Sequence, residues 1–141
     1  MKFAKSASDW KEAIRMSCEV LEADGTVEEN YKEDIIRCVE EYGPYIVIMP
    51  DIAMPHSQEH AKGVNGTAIS FMKLEEPVSF DPSDPEKEAR LFFTLASCNS
   101  EQHLDNMSKL AELLSNEDLL EELKEITCKG DLLKLEKKYF G

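Results

Sequence analysis

The sequence is short of most residues and patterns that mark the common cofactor, redox and membrane classes. Its 141 residues include four cysteines, Cys18, Cys38, Cys98 and Cys128, scattered with no Cys-x-x-Cys pair. Neither a zinc knuckle nor a dithiol redox motif is indicated, and these cysteines read as small buried apolar residues. No Gly-x-Gly-x-x-Gly or Walker A loop occurs, so dinucleotide and nucleoside triphosphate chemistry has no support. The strongest apolar run, Tyr45-Ile46-Val47-Ile48-Met49, falls far short of the roughly 20 residues that span a bilayer. Met1-Lys2-Phe3-Ala4-Lys5 lacks the apolar core of a signal peptide, so a cytoplasmic location is expected. Positive charge is also scarce, with 16 basic against 29 acidic residues and a net charge of -13. Such a field repels nucleic acid and anionic lipid, which argues against a nucleic-acid partner and against membrane insertion. It suits either plain solubility or encounter with a basic protein partner.

What is present is the composition of an ordinary globular chain, 42% hydrophobic and 32% charged. No repeat, low-complexity tract or linker divides it, and Asp81-Pro82-Ser83-Asp84-Pro85 reads as a surface loop. Residues 1–141 are therefore expected to form a single domain.

Apolar residues at helical spacing predict a helix over 9–23, with Ser8 or Asp9 as N-cap and Gly25 beyond its end. A second helix is predicted over 28–42, stopped by Gly43-Pro44. Tyr45–Met49 reads as a strand covered on both faces, and 67–74 and 91–97 read as strands too. Pro77-Val78-Ser79-Phe80 belongs to a short hairpin arm, because Pro77 would cost a ladder hydrogen bond inside a central strand. Helices follow at 100–114, 116–126 and 131–139, capped by Ser115 or Asn116 and by Asp131. The order predicts an α/β layered sandwich, a mixed β-sheet with a short hairpin flanked by helices.

The chain has three histidines, His56, His60 and His103, and two of them lie in or just after Pro50-Asp51-Ile52-Ala53-Met54-Pro55-His56-Ser57. That segment has neither helical nor strand periodicity. A histidine fixed by a preceding proline at a strand exit is expected to project into solvent, where it suits intermolecular chemistry. A plain loop histidine fits the composition equally. His56 and His60 form His-x-x-x-His, a zinc spacing on a helix, but Ser57 stands where a zincin needs Glu and no third ligand is evident. Ile52, Ala53 and Met54 read either as an apolar docking rim for partner proteins or as core packing at the strand end.

The run Tyr45-Ile46-Val47-Ile48-Met49-Pro50-Asp51-Ile52-Ala53-Met54-Pro55-His56 resembles the phosphorylation-site segment of the mannitol and fructose type of enzyme IIA. This is a type-2 component of the bacterial sugar phosphotransferase system, and the ascorbate branch is the most similar. Gly63-Val64-Asn65, Ile69-Ser70-Phe71, Pro77-Val78-Ser79-Phe80, Ala89 to Ala96 and Gln102-His103-Leu104 resemble its later strands, hairpin and second histidine, in order. The resemblance implies that His56 takes phosphate from the carrier protein HPr and passes it to a cysteine of a sugar-specific enzyme IIB. It implies no cofactor and no metal.

On the same resemblance, His103 lies beside His56 and hydrogen-bonds the phosphate, and Ser57 adds a hydroxyl. Ascorbate-type members often carry an arginine two residues after the histidine, where this chain has Gln58, and Arg37 is the nearest counterpart of the mannitol-type arginine. The chemistry needs one ring nitrogen held as an N–H donor so that the other attacks, and a backbone carbonyl is the expected orienter. A regulatory module read by its phosphorylation state and a small metal hydrolase are the competing functions. Monomer and homodimer stay equally open.

Overall fold

Two helical stripes and an alternating strand pattern account for the layers. The structure, a computed structural model, describes residues 2–49, 51–56, 64–66, 68–96 and 100–126 with 130, 131, 133, 134 and 137; the side chains at 2, 49, 100, 102, 103, 106 and 113 are not among these. In chain order the elements are β1 (Lys2–Ala4), α1 (Trp10–Ala23), α2 (Asn30–Tyr42), β2 (Val47–Met49), β3 (Asp51–Ala53), β4 (Ala68–Ser79), β5 (Glu88–Ala96), α3 (Ser100–Leu114) and α4 (Glu117–Glu125). The described residues between 130 and 137 are helical, as the spacing predicts.

The five strands form one mixed sheet in the order β1-β4-β5-β3-β2. β4 and β5 are antiparallel, while β5 and β3 run parallel. Successive residues of β5 point to opposite faces. Phe92 and Ala96 pack with α1 and α2, through Ile14, Cys18, Leu21 and Ile35. Leu91, Phe93 and Leu95 pack with Leu110 and Leu114 of α3 and with Leu119, Leu120 and Leu123 of α4. The sheet is thus sandwiched between two helical layers. Each large apolar side chain buried this fully contributes about 1.5–3 kcal/mol.

Local signals set the element ends. Asp9 accepts from the Glu12 N–H at 2.8 Å to open α1, and Asn116 accepts from Leu119 at 3.2 Å to open α4. α2 stops at Gly43, whose φ of 87° is a left-handed conformation that a side chain would strain. β4 runs on through Pro77, and Val78 and Ser79 pair antiparallel with Ala89 and Glu88 as the expected hairpin arm. The ladder register shifts between Lys73 and Val78, so Pro77 removes no regular ladder bond there. Tyr45–Met49 reads from the sequence as a strand covered on both faces, yet β2 spans only Val47–Met49 and is an edge strand with Ile48 exposed. Its apolar residues serve the layer below instead, through Ile46 and Val47. Three-residue β1 and β3 lie below the length at which periodicity is readable. Cys18 and Cys38 are buried, as expected, and burial pushes the Cys18 thiol up to about 12.

One polar device locks α4 to the sheet. Lys73 of β4 is 8% exposed and donates to the carbonyls of Lys124, at 2.5 Å, and of Ile126. A cation over the open carbonyls of a helix end satisfies acceptors that the helix itself cannot. Burial, followed by the charge of Arg90, holds this ammonium below the usual lysine range. Lys73→Met should therefore lower unfolding free energy by about 1–3 kcal/mol in a urea titration, because two buried carbonyls lose their donor. Unchanged stability would mean that the two bonds contribute nothing net.

Candidate active site

The chain reaches the site along β3 and then leaves the ladder for three residues that are tied one by one. Met54 N–H donates to the Ile46 carbonyl at 2.7 Å, and the Pro55 carbonyl accepts from Leu95 N–H of β5 at 3.0 Å. The His56 carbonyl accepts from the Tyr45 hydroxyl. On the far side of the same β5 peptide bond region, Tyr31 of α2 donates its hydroxyl to the Leu95 carbonyl at 2.6 Å. The loop is therefore held by β5 on one side and by the Tyr45 hydroxyl, while the Tyr31 hydroxyl ties Leu95 of that strand to α2.

This frame fixes the imidazole. His56 Nδ1 lies 2.5 Å from the Met54 carbonyl oxygen. A carbonyl can only accept, so Nδ1 carries the proton, and in the neutral ring the lone pair resides on Nε2. The expected backbone orienter is thus Met54. The Tyr45 ring stands edge to face with the imidazole, at 5.1 Å between centroids and 86° between planes. Burial, then the neighbouring Cys38 and Tyr31, pushes the Tyr45 phenol far above its ordinary ionisation range, so its hydroxyl stays a donor.

His56 is 5% exposed, rather than projecting into solvent. The Met54 carbonyl and the Tyr45 ring draw the imidazole inward. Ile52, Ala53 and Met54 are 1%, 0% and 2% exposed, so they do not form a docking rim. Ala53 belongs to the α1–α2 layer and Ile52 and Met54 to the α3–α4 layer, because a strand inside a sandwich buries both faces. Exposed apolar side chains come from other elements. Leu104 of α3 is 67% exposed and Ile69 of β4, in register with Leu95, is 43% exposed.

His103 lies in the first turns of α3. α3 opens four residues after Ala96, where β5 ends beside Pro55, so its N-terminus begins within about 15 Å of that strand end. The His103 side chain, Ser57, Gln58 and His60 fall outside the described residues. Arg37 is exposed on α2 and faces carboxylates of its own helix, Asp34 at 3.2 Å and Glu41 at 3.3 Å. At the opposite end of β3, Asp51 has a φ of 70° and pairs with Arg90 at 3.2 Å and Lys124 at 3.8 Å. Asp tolerates this left-handed conformation better than most residues, and the ion pairs anchor the strand that leads to His56.

Sequence reasoning missed Tyr45 and Tyr31 as parts of this frame. A tyrosine immediately before a β-branched strand and directly after Gly-Pro was the available signal for the first.

The mixed-sheet sandwich thus holds one buried imidazole at its strand ends, with Nδ1 against a backbone carbonyl. Residues 1–138 match the model of the family described as phosphoenolpyruvate-dependent sugar phosphotransferase system, EIIA 2. The chain belongs to that family, and it is accordingly a phosphoryl-carrier component of a sugar phosphotransferase system. It is 33% identical over 124 residues to the ascorbate-specific PTS system EIIA component of Mycoplasma pneumoniae, covering 87% of this chain and 76% of that protein. The solution structure of the mannitol-specific cryptic phosphotransferase enzyme IIA of Escherichia coli superposes with a TM-score of 0.84 at 31% identity, covering 96% of this chain and 90% of that one. The IIA chain in the Escherichia coli complex of mannitol enzyme IIA with phosphorylated enzyme IIB gives a TM-score of 0.78 at 30% identity, covering 93% and 88%.

Nitrogen NMR of the ring at alkaline pH, where imidazole is neutral, should show His56 with its proton on Nδ1. A dominant Nε2–H form would contradict the Met54 contact.

Proposed function

We propose that His56 is the phosphorylated nucleophile, which accepts phosphate from the phosphohistidine of HPr and hands it to a cysteine of a sugar-specific enzyme IIB. The observation that carries this reading is the Nδ1–H bond to the Met54 carbonyl, which leaves the Nε2 lone pair as the attacking group. The mannitol IIA–IIB complex supports a IIB acceptor, and the ascorbate-specific relatives favour an ascorbate-like sugar.

The reaction balances without a cofactor. The Nε2 lone pair forms the new N–P bond as the donor's N–P bond breaks, and that bond's electron pair returns to the donor ring. The proton stays on Nδ1, donated to the Met54 carbonyl, throughout. Phosphoryl transfer is loose and in line, so most of the acceleration comes from positioning and from stabilising the equatorial oxygens. In this reading His103, Ser57 and the free N–H groups at the start of α3 supply that stabilisation. Arg37 is given no part, since its guanidinium already faces two carboxylates.

A ring only 5% exposed demands close docking of each partner. Leu104 and Ile69 are exposed apolar side chains, and in this reading they meet both partners in turn. Leu104→Ser should raise KM for phospho-HPr by about 5- to 50-fold with a smaller change in kcat, the signature of lost contact area. An unchanged KM would remove Leu104 from the docking surface.

Incubation with phosphoenolpyruvate, enzyme I and HPr should place an acid-labile, base-stable phosphate on the protein, and His56→Ala should abolish it. Labelling of the alanine variant would overturn the assignment. Discharge onto a IIB cysteine marks the transport role, whereas a stable phosphoprotein in the presence of IIB would mark a regulatory one.

A further inference from the structure

Each of the three residues that carry the imidazole has one backbone group tied down, and the ties differ in kind. Met54 N–H and the Pro55 carbonyl bond to backbone groups, those of Ile46 and Leu95. At His56 the tie is a side chain, the Tyr45 hydroxyl, donated to the His56 carbonyl. The chain has left the ladder at this point, and the phenol stands where a strand partner would.

The orienting bond from Nδ1 to Met54 reaches back only two residues. Both of its ends therefore ride on the same short segment, and the bond cannot by itself aim Nε2 at anything outside that segment. Aim requires the segment's last peptide to be fixed to the rest of the protein. Tyr45 provides this twice, through its hydroxyl on the carbonyl and through its ring packed edge to face with the imidazole. Its own position is secure, because Tyr45 packs against the α1–α2 core and its buried phenol stays protonated.

We propose that Tyr45 is the positioning residue of His56, acting on the direction and tautomer of the imidazole without touching the transferred phosphate. The proposal rests on His56 being the nucleophile, but the ring's tautomer is measurable without any transfer. A structural role alone predicts only lost stability on removal of the hydroxyl. A positioning role predicts a change in the ring itself. Tyr31 supplies the internal comparison, since it makes the same kind of bond to the Leu95 carbonyl, on the neighbouring strand.

The test compares Tyr45→Phe with Tyr31→Phe by imidazole nitrogen NMR and by transfer from phospho-HPr. Tyr45→Phe should bring a substantial Nε2–H population into the His56 ring and lower kcat on the order of 10- to 100-fold, the scale of a small misplacement of a reacting group. Tyr31→Phe should lower stability while keeping the Nδ1–H ring. In wild type, the Tyr45 hydroxyl proton should be slow to exchange and show a nuclear Overhauser contact to His56, a measurement that stands even if Tyr45→Phe fails to fold. Wild-type tautomer and kcat in Tyr45→Phe, or a fast-exchanging Tyr45 hydroxyl, would overturn the proposal. Absence of phosphorylation in wild type with the tautomer shift intact would overturn the function and leave the positioning role standing.

Discussion

The hydrogen bond from His56 Nδ1 to the Met54 carbonyl is the constraint on which the candidate site depends. Without it, a neutral imidazole divides between two tautomers and neither nitrogen is committed to attack. The bond is possible because the chain between Met54 and His56 is held in one conformation while lying outside the regular ladder. Three anchors on three different partners achieve this, from Ile46, from β5 and from Tyr45. The parallel pairing of β3 with β5 is therefore part of the proposed chemistry as well as of the fold.

The sandwich in turn exists to keep that end of the sheet immobile. β5 is buried on both faces, and its two sets of side chains belong to the two helical layers. Movement of either layer would reach the Leu95 peptide, which bonds Pro55 through its N–H and Tyr31 through its carbonyl. The connection from β5 into α3 brings a helix N-terminus to the same end. Free N–H groups and the positive end of a dipole are favourable to phosphate oxygens without any cationic side chain.

Most of the layer order was legible because it rests on periodicity. The stripe of α1, the stop at Gly43 and the continuous apolar run of β5 are local signals that tertiary structure did not override. The short strands were not legible, since three residues such as Asp51–Ala53 carry no readable period and are strands only by virtue of β5 beside them. The site was half legible. His56 stood out through its proline and through the ordered segments around it, but its burial did not, because nothing local records that a tyrosine eleven residues earlier would cover it. Ile52, Ala53 and Met54 misled for the same reason. An apolar run beside a reactive residue looks like a rim until the sheet places a helical layer over each face.

The charge of the protein bears on what kind of phosphate site this can be. A phosphoryl group adds roughly -1.5 to -2 charges near neutral pH, here to a chain of net charge -13. Among the described residues, Arg15, Lys32, Arg37, Arg90 and Lys124 each face a carboxylate within 4 Å. Such cations are already partly neutralised and would exchange one anion for another. Under the proposed function, hydrogen bonds and helix N–H groups supply stabilisation that these described cations do not, and they hold an oxyanion in place without trapping it as an arginine fork does. For an enzyme that stores nothing, weak retention is an advantage, because each kcal/mol of excess phosphate binding would be added to the barrier for onward transfer. An acidic surface and a neutral, well-aimed imidazole thus follow one requirement, which is to position phosphate firmly while binding it lightly.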